Sequence, residues 1–177
     1  MSQRIAVRVE APAWRRRLPD AGALVRRAAR AALTGARADK GAAGPGGGGE
    51  LCLVLADDAL QRRLNRDFRG ADKSTNVLSF AGAPASLGDV VLALETVAAE
   101  AESQGKSLAD HVAHLVVHGV LHLMGYDHHT GAEARRMERL ERAILAGLGI
   151  ADPYSRPPAR RPANRGSRAG SRGRRRA

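Results

Sequence analysis

Six histidines fall between residues 111 and 129, at 111, 114, 118, 122, 128 and 129. At about 100° per residue, His111, His114, His118 and His122 share one face of a helix. His118 and His122 are one turn apart, so their imidazoles can point at a common atom, the i, i+4 geometry that grips zinc. Gly125 lets the chain turn back, and His128 returns on the far side. Three neutral ring nitrogens plus one open position make a catalytic rather than a structural zinc site. Such a site lowers the pKa of a bound water to about 7 and polarises a substrate oxygen. His114, one turn before His118, either supports these ligands from behind or is an ordinary helix residue. His111 and His129 read as exposed and inert.

The string His118-Gly-Val-Leu-His122-Leu-Met-Gly125-Tyr-Asp-His128 has the spacing of metzincin zinc sites, His-x3-His-x2-Gly-x2-His. In those proteases a glutamate directly follows the first histidine and serves as general base. Here that place is Gly119, so a peptidase would lack its proton acceptor. Asp127 and Asp89 are the acids that could stand in, and neither is in the usual place.

The elements that must position this cluster follow from periodicity and punctuation. Ile5–Val9 alternates and reads as a strand. A helical stretch runs from Pro19-Asp20 to about Ala38. Residues 40–49 hold six glycines and one proline and read as a flexible insertion loop; the Gly-Lys-Ser/Thr of a phosphate loop is absent. The apolar run Leu51–Leu55 is a buried strand. Asp57 caps a helix carrying Leu60 and Leu64. Asn76–Phe80 is a third strand, Pro84 and Gly88 bracket a turn, and Asp89–Leu94 is a fourth. A helix follows over about Glu95–Ser103. Ser107 opens the histidine helix, which ends near Met124 with Gly125 at its C-terminal cap. Thr130 and Glu133 open a last helix, with Met137, Leu140, Ile144 and Leu145 facing inward.

Composition bounds the rest. At 177 residues and 44% hydrophobic content the chain can build a core and is not wholly disordered. Its single cysteine, Cys52, excludes a disulfide framework and fits a reducing compartment. The aromatic fraction of 3% argues against base-stacking platforms such as those of RNA-recognition sheets. No apolar run reaches the roughly 20 residues of a membrane span, and the N-terminus has no signal-peptide character, so the expected location is cytoplasmic. Of the net charge of +11, residues 156–177 carry nine arginines and no acid. The body is therefore nearly neutral, and the basic tail, lacking large apolar residues, is expected to be disordered. The organisation expected is one domain over 1–155 with an Arg-rich tail over 156–177. Such a tail favours nucleic-acid phosphates and suggests a tether to RNA.

Three blocks in order resemble the YbeY family of bacterial endoribonucleases. One is the histidine string itself. The second is Leu64-Asn65-Arg66-Asp67-Phe68-Arg69, followed by Thr75-Asn76-Val77-Leu78-Ser79-Phe80. The third is Leu87-Gly88-Asp89-Val90-Val91. The resemblance spans about residues 5–150. It implies an α+β fold with a mixed sheet of about four strands flanked by helices. It implies one Zn2+ per chain held by His118, His122 and His128, of which His118 and His122 also count as catalytic. It implies single-stranded RNA as substrate, with roles in maturing the 3′ end of 16S rRNA and in late quality control of the 70S ribosome, hence rRNA and the small subunit with its proteins as partners. It also implies that Arg69 is catalytic, and chemistry agrees. Phosphodiester cleavage spreads negative charge over oxygens that a planar guanidinium can meet in pairs. Lys73, close in sequence, adds a point charge. Thr75 and Ser79 read as support for the strand and turn, and Asp89 as either structural or functional.

Two other functions fit less of the sequence. A metal-dependent hydrolase of peptides or small molecules has the metal spacing for it and Gly119 against it. A non-enzymatic ribosome assembly factor would make the zinc structural, against the open fourth position.

Overall fold

The computed structural model describes residues 3–40, 49–83 and 86–155. The glycine-rich stretch at 41–48, Pro84 and the arginine tail at 156–177 lie outside the described residues.

Strand β2 (Glu50–Ala56) shows how the layers arise. Leu51, Leu53 and Leu55 are fully buried, while Cys52 and Val54 between them are half-buried. Successive side chains of a strand point to opposite faces, so the two faces of this strand meet different layers. The sheet order is β1-β2-β4-β3, with β1 (Ile5–Val9), β3 (Val77–Ala81) and β4 (Ser86–Ala93). β1 and β4 run parallel to β2, and β3 runs antiparallel to β4 at the sheet edge. This is the mixed four-stranded α+β arrangement expected.

The leucine face packs into the main core with α2 (Ala21–Lys40) and α5 (Leu108–Leu123). Helices α4 (Leu94–Ser103) and α6 (Gly131–Gly147) flank α5. The other face is covered by α3 (Asp58–Arg69), whose Leu60 and Leu64 pack on Ala56, Leu78 and Val91. Helix starts follow their caps. Asp57 accepts from the Leu60 amide at 2.8 Å, Ser107 from the Asp110 amide at 3.0 Å, and Thr130 and Glu133 form a reciprocal capping box. α5 ends where Gly125 turns left-handed at φ 78°.

Two local readings need correction. A short helix α1 (Ala13–Arg17), not anticipated, seats the fully buried Trp14, whose indole donates to the Ala56 carbonyl at 2.8 Å. Gly88 does not close a turn but lies inside β4, at φ 130° and opposite a register shift between Glu50 and Leu51. A Cβ there would fall 2.1 Å from the Phe80 carbonyl oxygen, so glycine is required by close approach. Among the described residues no helix is long and apolar enough to cross a membrane.

Candidate metal centre

Helix α5 is buried on most of its circumference, with Val112, Val116, Val117, Val120 and Leu121 fully inaccessible. The exception is the part of its histidine face that carries His114, His118 and His122, which are half-buried. His118 and His122 present their Nε2 atoms to one another at 3.1 Å. The left-handed turn at Gly125 brings His128 back, its ring centroid 5.0 Å from that of His122 and 6.0 Å from that of His118. One ligand nitrogen from each of the three lies within 4.8 Å of the others. Nitrogens this close can reach a single ion at Zn–N distances of about 2.0–2.1 Å.

The donor chemistry also fits. A histidine ligates only when neutral. Burial pushes the His122 imidazole below its ordinary range, and the neighbouring His118 and His128 push it further. His118 is held by Glu141 of α6, a fully buried carboxylate whose Oε1 lies 2.7 Å from His118 Nδ1. Burial alone would raise the Glu141 pKa. The His114, His118 and Tyr154 side chains outweigh it and hold the group at about 2. An ionised carboxylate only accepts, so Nδ1 carries the proton and the Nε2 lone pair is left facing His122. Tyr154 donates its phenolic hydrogen to the other Glu141 oxygen. A cleft of about 360 Å3, walled by Met137, Glu138, Glu141 and Tyr154, opens beside His118 and His128.

The other histidines divide. His114 lies behind the triad, 3.7 Å from Glu141 and edge-on to both His118 and Tyr154. His129 is exposed and pairs with Asp127 at 2.8 Å. The expectation that His111 is exposed is corrected: it is 4% accessible, with Nε2 2.9 Å from Glu100. The reason is that α4 covers the start of α5, and Glu100 comes from α4.

Gly119 is a packing residue. A Cβ there would lie 2.7 Å from a Val90 methyl and 3.0 Å from Ser79 Oγ. The position following His118 therefore faces the sheet, where a glutamate would meet β4 and not a substrate. The two acids considered as a stand-in base lie in different places. Asp89 is cross-strand from Phe80, on the α3 face of the sheet, away from the histidines. Asp127 is near the triad, but the His128 amide donates to it at 2.7 Å and holds its carboxyl below the usual range.

Arg69, at the end of α3, donates to the Ser79 carbonyl at 3.2 Å, with its guanidinium carbon 5.9 Å from the centre of the Phe80 ring. Ser79 Oγ donates to the Gly119 carbonyl at 3.1 Å. The edge strand β3 thus joins Arg69 to the residue beside His118. Lys73 is exposed, and its carbonyl accepts from Asn65 at 2.8 Å.

Glu141 and Tyr154 were missed in the sequence. A signal was present for Glu141: it falls between Met137 and Leu145 at helical spacing, on the apolar stripe of α6. A carboxylate there must be buried, and a buried charge requires partners. Tyr154 follows the last helix in an irregular segment, where no periodicity points to a partner.

A family model described as Endoribonuclease YbeY matches residues 15–149. The Endoribonuclease YbeY of Paramagnetospirillum magneticum is 56% identical over 161 residues, spanning 85% of this chain and 94% of its own. That of Rhodospirillum rubrum is 50% identical over 163 residues, spanning 86% and 82%. The solution structure of TM1509 from Thermotoga maritima is similar at 19% identity and a TM-score of 0.49, covering 86% of this chain and 99% of that one.

Proposed function

This chain belongs to the YbeY endoribonuclease family, and from that premise we propose that it is a zinc-dependent, single-strand-specific endoribonuclease. Its proposed place is the cytoplasm, in maturation of the 16S rRNA 3′ end and late quality control of the 70S ribosome, with rRNA and the small subunit as partners. Residues 1–155 form the nuclease domain in this reading, and the arginines of 156–177 contact RNA phosphates.

The observation that carries the proposal is the convergence of His118, His122 and His128, with His118 oriented by a buried carboxylate. These three would hold one zinc, which when bound supplies Lewis acidity toward the phosphodiester. Glu141 retains the proton at His118 Nδ1 and so keeps Nε2 available. Arg69 meets the phosphate oxygens where charge accumulates, and Lys73 adds a cation to the same stretch. His128 is 57% exposed in its side chain, which supports a site open to substrate over a closed structural one. The packing at Gly119 weighs against a peptidase.

The test is cleavage of a 16S 3′-precursor RNA by full-length wild type, His122→Ala and Arg69→Ala, with zinc content measured on each. Wild type is expected to hold about one zinc and to cut. His122→Ala is expected to lose both, and Arg69→Ala to keep zinc and cut about 100-fold or more slowly. Equal cleavage by wild type and His122→Ala, or zinc without cleavage in wild type, would overturn the reading.

A further inference from the structure

The chain has only two phenylalanines, and its low aromatic content argues against a stacking platform spread over a sheet. The fold nevertheless brings the two together. Phe68 of α3 and Phe80 of β3 lie 5.3 Å apart between ring centres, tilted by 60°. Phe80 is half-buried, but Phe68 is 70% exposed, the most exposed large apolar side chain among the described residues. A lone exposed apolar residue needs no explanation. This one borders a groove of about 720 Å3, walled by Leu60, Leu64, Phe80 and Val91, within the size range of small-ligand sites.

Charges of both signs stand around the groove. Arg69 follows Phe68 in sequence and lies over Phe80, whose ring lines it. Elsewhere along it stand Asp89, cross-strand from Phe80, and Glu10, already paired with Arg8 at 2.7 Å. A guanidinium, a flat apolar wall and a carboxylate match the parts of one nucleotide. The phosphate meets the arginine, the base lies on the ring, and base N–H donors face the acid. The opposite orientation would set phosphate against carboxylate.

We infer that Phe68 and Phe80, with Arg69, form a nucleobase-stacking subsite for single-stranded RNA. This rests on the endoribonuclease reading and deepens it. Arg69 holds the phosphate of the stacked nucleotide, and the Arg69–Ser79–Gly119 contacts set that nucleotide's distance from the histidines. Stacking on a ring is tolerant of base identity, so the subsite selects unpaired bases over paired ones rather than a sequence. A duplex, whose bases are already stacked, cannot use it.

The experiment is single-turnover cleavage by the zinc-loaded full chain and its Phe68→Ala variant, with half-saturating concentrations read on two kinds of RNA. One is an intact single strand. The other is a series in which one abasic nucleotide is moved along the strand. Phe68→Ala is expected to weaken half-saturation on intact RNA by about 5- to 150-fold. At one position the abasic nucleotide should impose the same loss on wild type, and there Phe68→Ala should add nothing. Because Phe68 is mostly exposed, its truncation leaves the core in place. Phe68→Trp provides a second readout, since the only native tryptophan, Trp14, is fully buried. The introduced indole should retain affinity and be quenched by intact RNA. If wild type cuts but Phe68→Ala matches it, or the two losses multiply at every abasic position, the subsite is wrong and the nuclease reading survives. If wild type neither binds nor cuts single-stranded RNA, the nuclease reading itself falls.

Discussion

Oε1 of Glu141 lies 2.7 Å from Nδ1 of His118, and the glutamate has no solvent exposure. A buried carboxylate in this position decides which nitrogen of the histidine carries the proton, and it holds the ring plane with Nε2 turned toward His122. The partner on the far side of a ligand imidazole commonly contributes 10- to 100-fold in metal affinity. Glu141→Gln keeps the volume and removes the charge. Its zinc affinity, measured by chelator competition, should fall by about that factor. An unchanged affinity would show that His118 needs no orienting group.

The same carboxylate predicts a pH dependence. Its pKa is held at about 2, below the ordinary carboxylate value of 4.5. A group depressed in the folded state stabilises above its unfolded pKa, and that contribution disappears as pH falls through the folded value. In metal-stripped protein, wild type should therefore be more stable than Glu141→Gln at neutral pH. The gap should persist down to about pH 4.5 and close toward pH 2. Urea midpoints of the two proteins across this range are the measurement, and a gap independent of pH would refute the assignment.

Gly119 tests the packing between α5 and the sheet. Replacing a helical glycine by alanine normally gains about 1 kcal/mol. Here the added carbon would sit 2.7 Å from a methyl of fully buried Val90, and overpacking of that kind costs about 1–3 kcal/mol. The clash should win. Gly119→Ala should melt several degrees lower, at about 2–4 °C per kcal/mol for a chain of this size. Gly119→Glu should melt lower still and cleave no peptide. A thermal scan showing Gly119→Ala at or above wild type would mean the helix can shift away at no cost.

The arginine tail makes a separate prediction. Each phosphate neutralised on a single strand adds about 0.7 to the slope of log affinity against log salt. The full chain should bind single-stranded RNA more tightly than residues 1–155 and with a steeper salt dependence. Equal affinities and equal slopes would show the nine arginines of 156–177 to be uninvolved.

The sequence by itself was enough for the convergence of His118, His122 and His128, for the caps at Asp57, Ser107 and Thr130, and for the existence of the four strands. These rest on short-range relations: one helical turn between His118 and His122, a glycine that can turn left-handed at 125, capping side chains three residues from their amides. Such relations are set by backbone geometry within a few residues and so are readable in order along the chain. Tertiary structure alone decided the partners. Glu141 reaches His118 across 23 positions, Glu100 covers His111 from another helix, and Gly119 faces Val90 and Ser79 across a helix–sheet contact. It also separated Asp89 from the histidines and brought the only two phenylalanines together beside Arg69. Periodicity states which face of an element is apolar. Which element will cover that face depends on how the layers stack, and this is why a buried carboxylate could be suspected in the sequence but its partner could not be named.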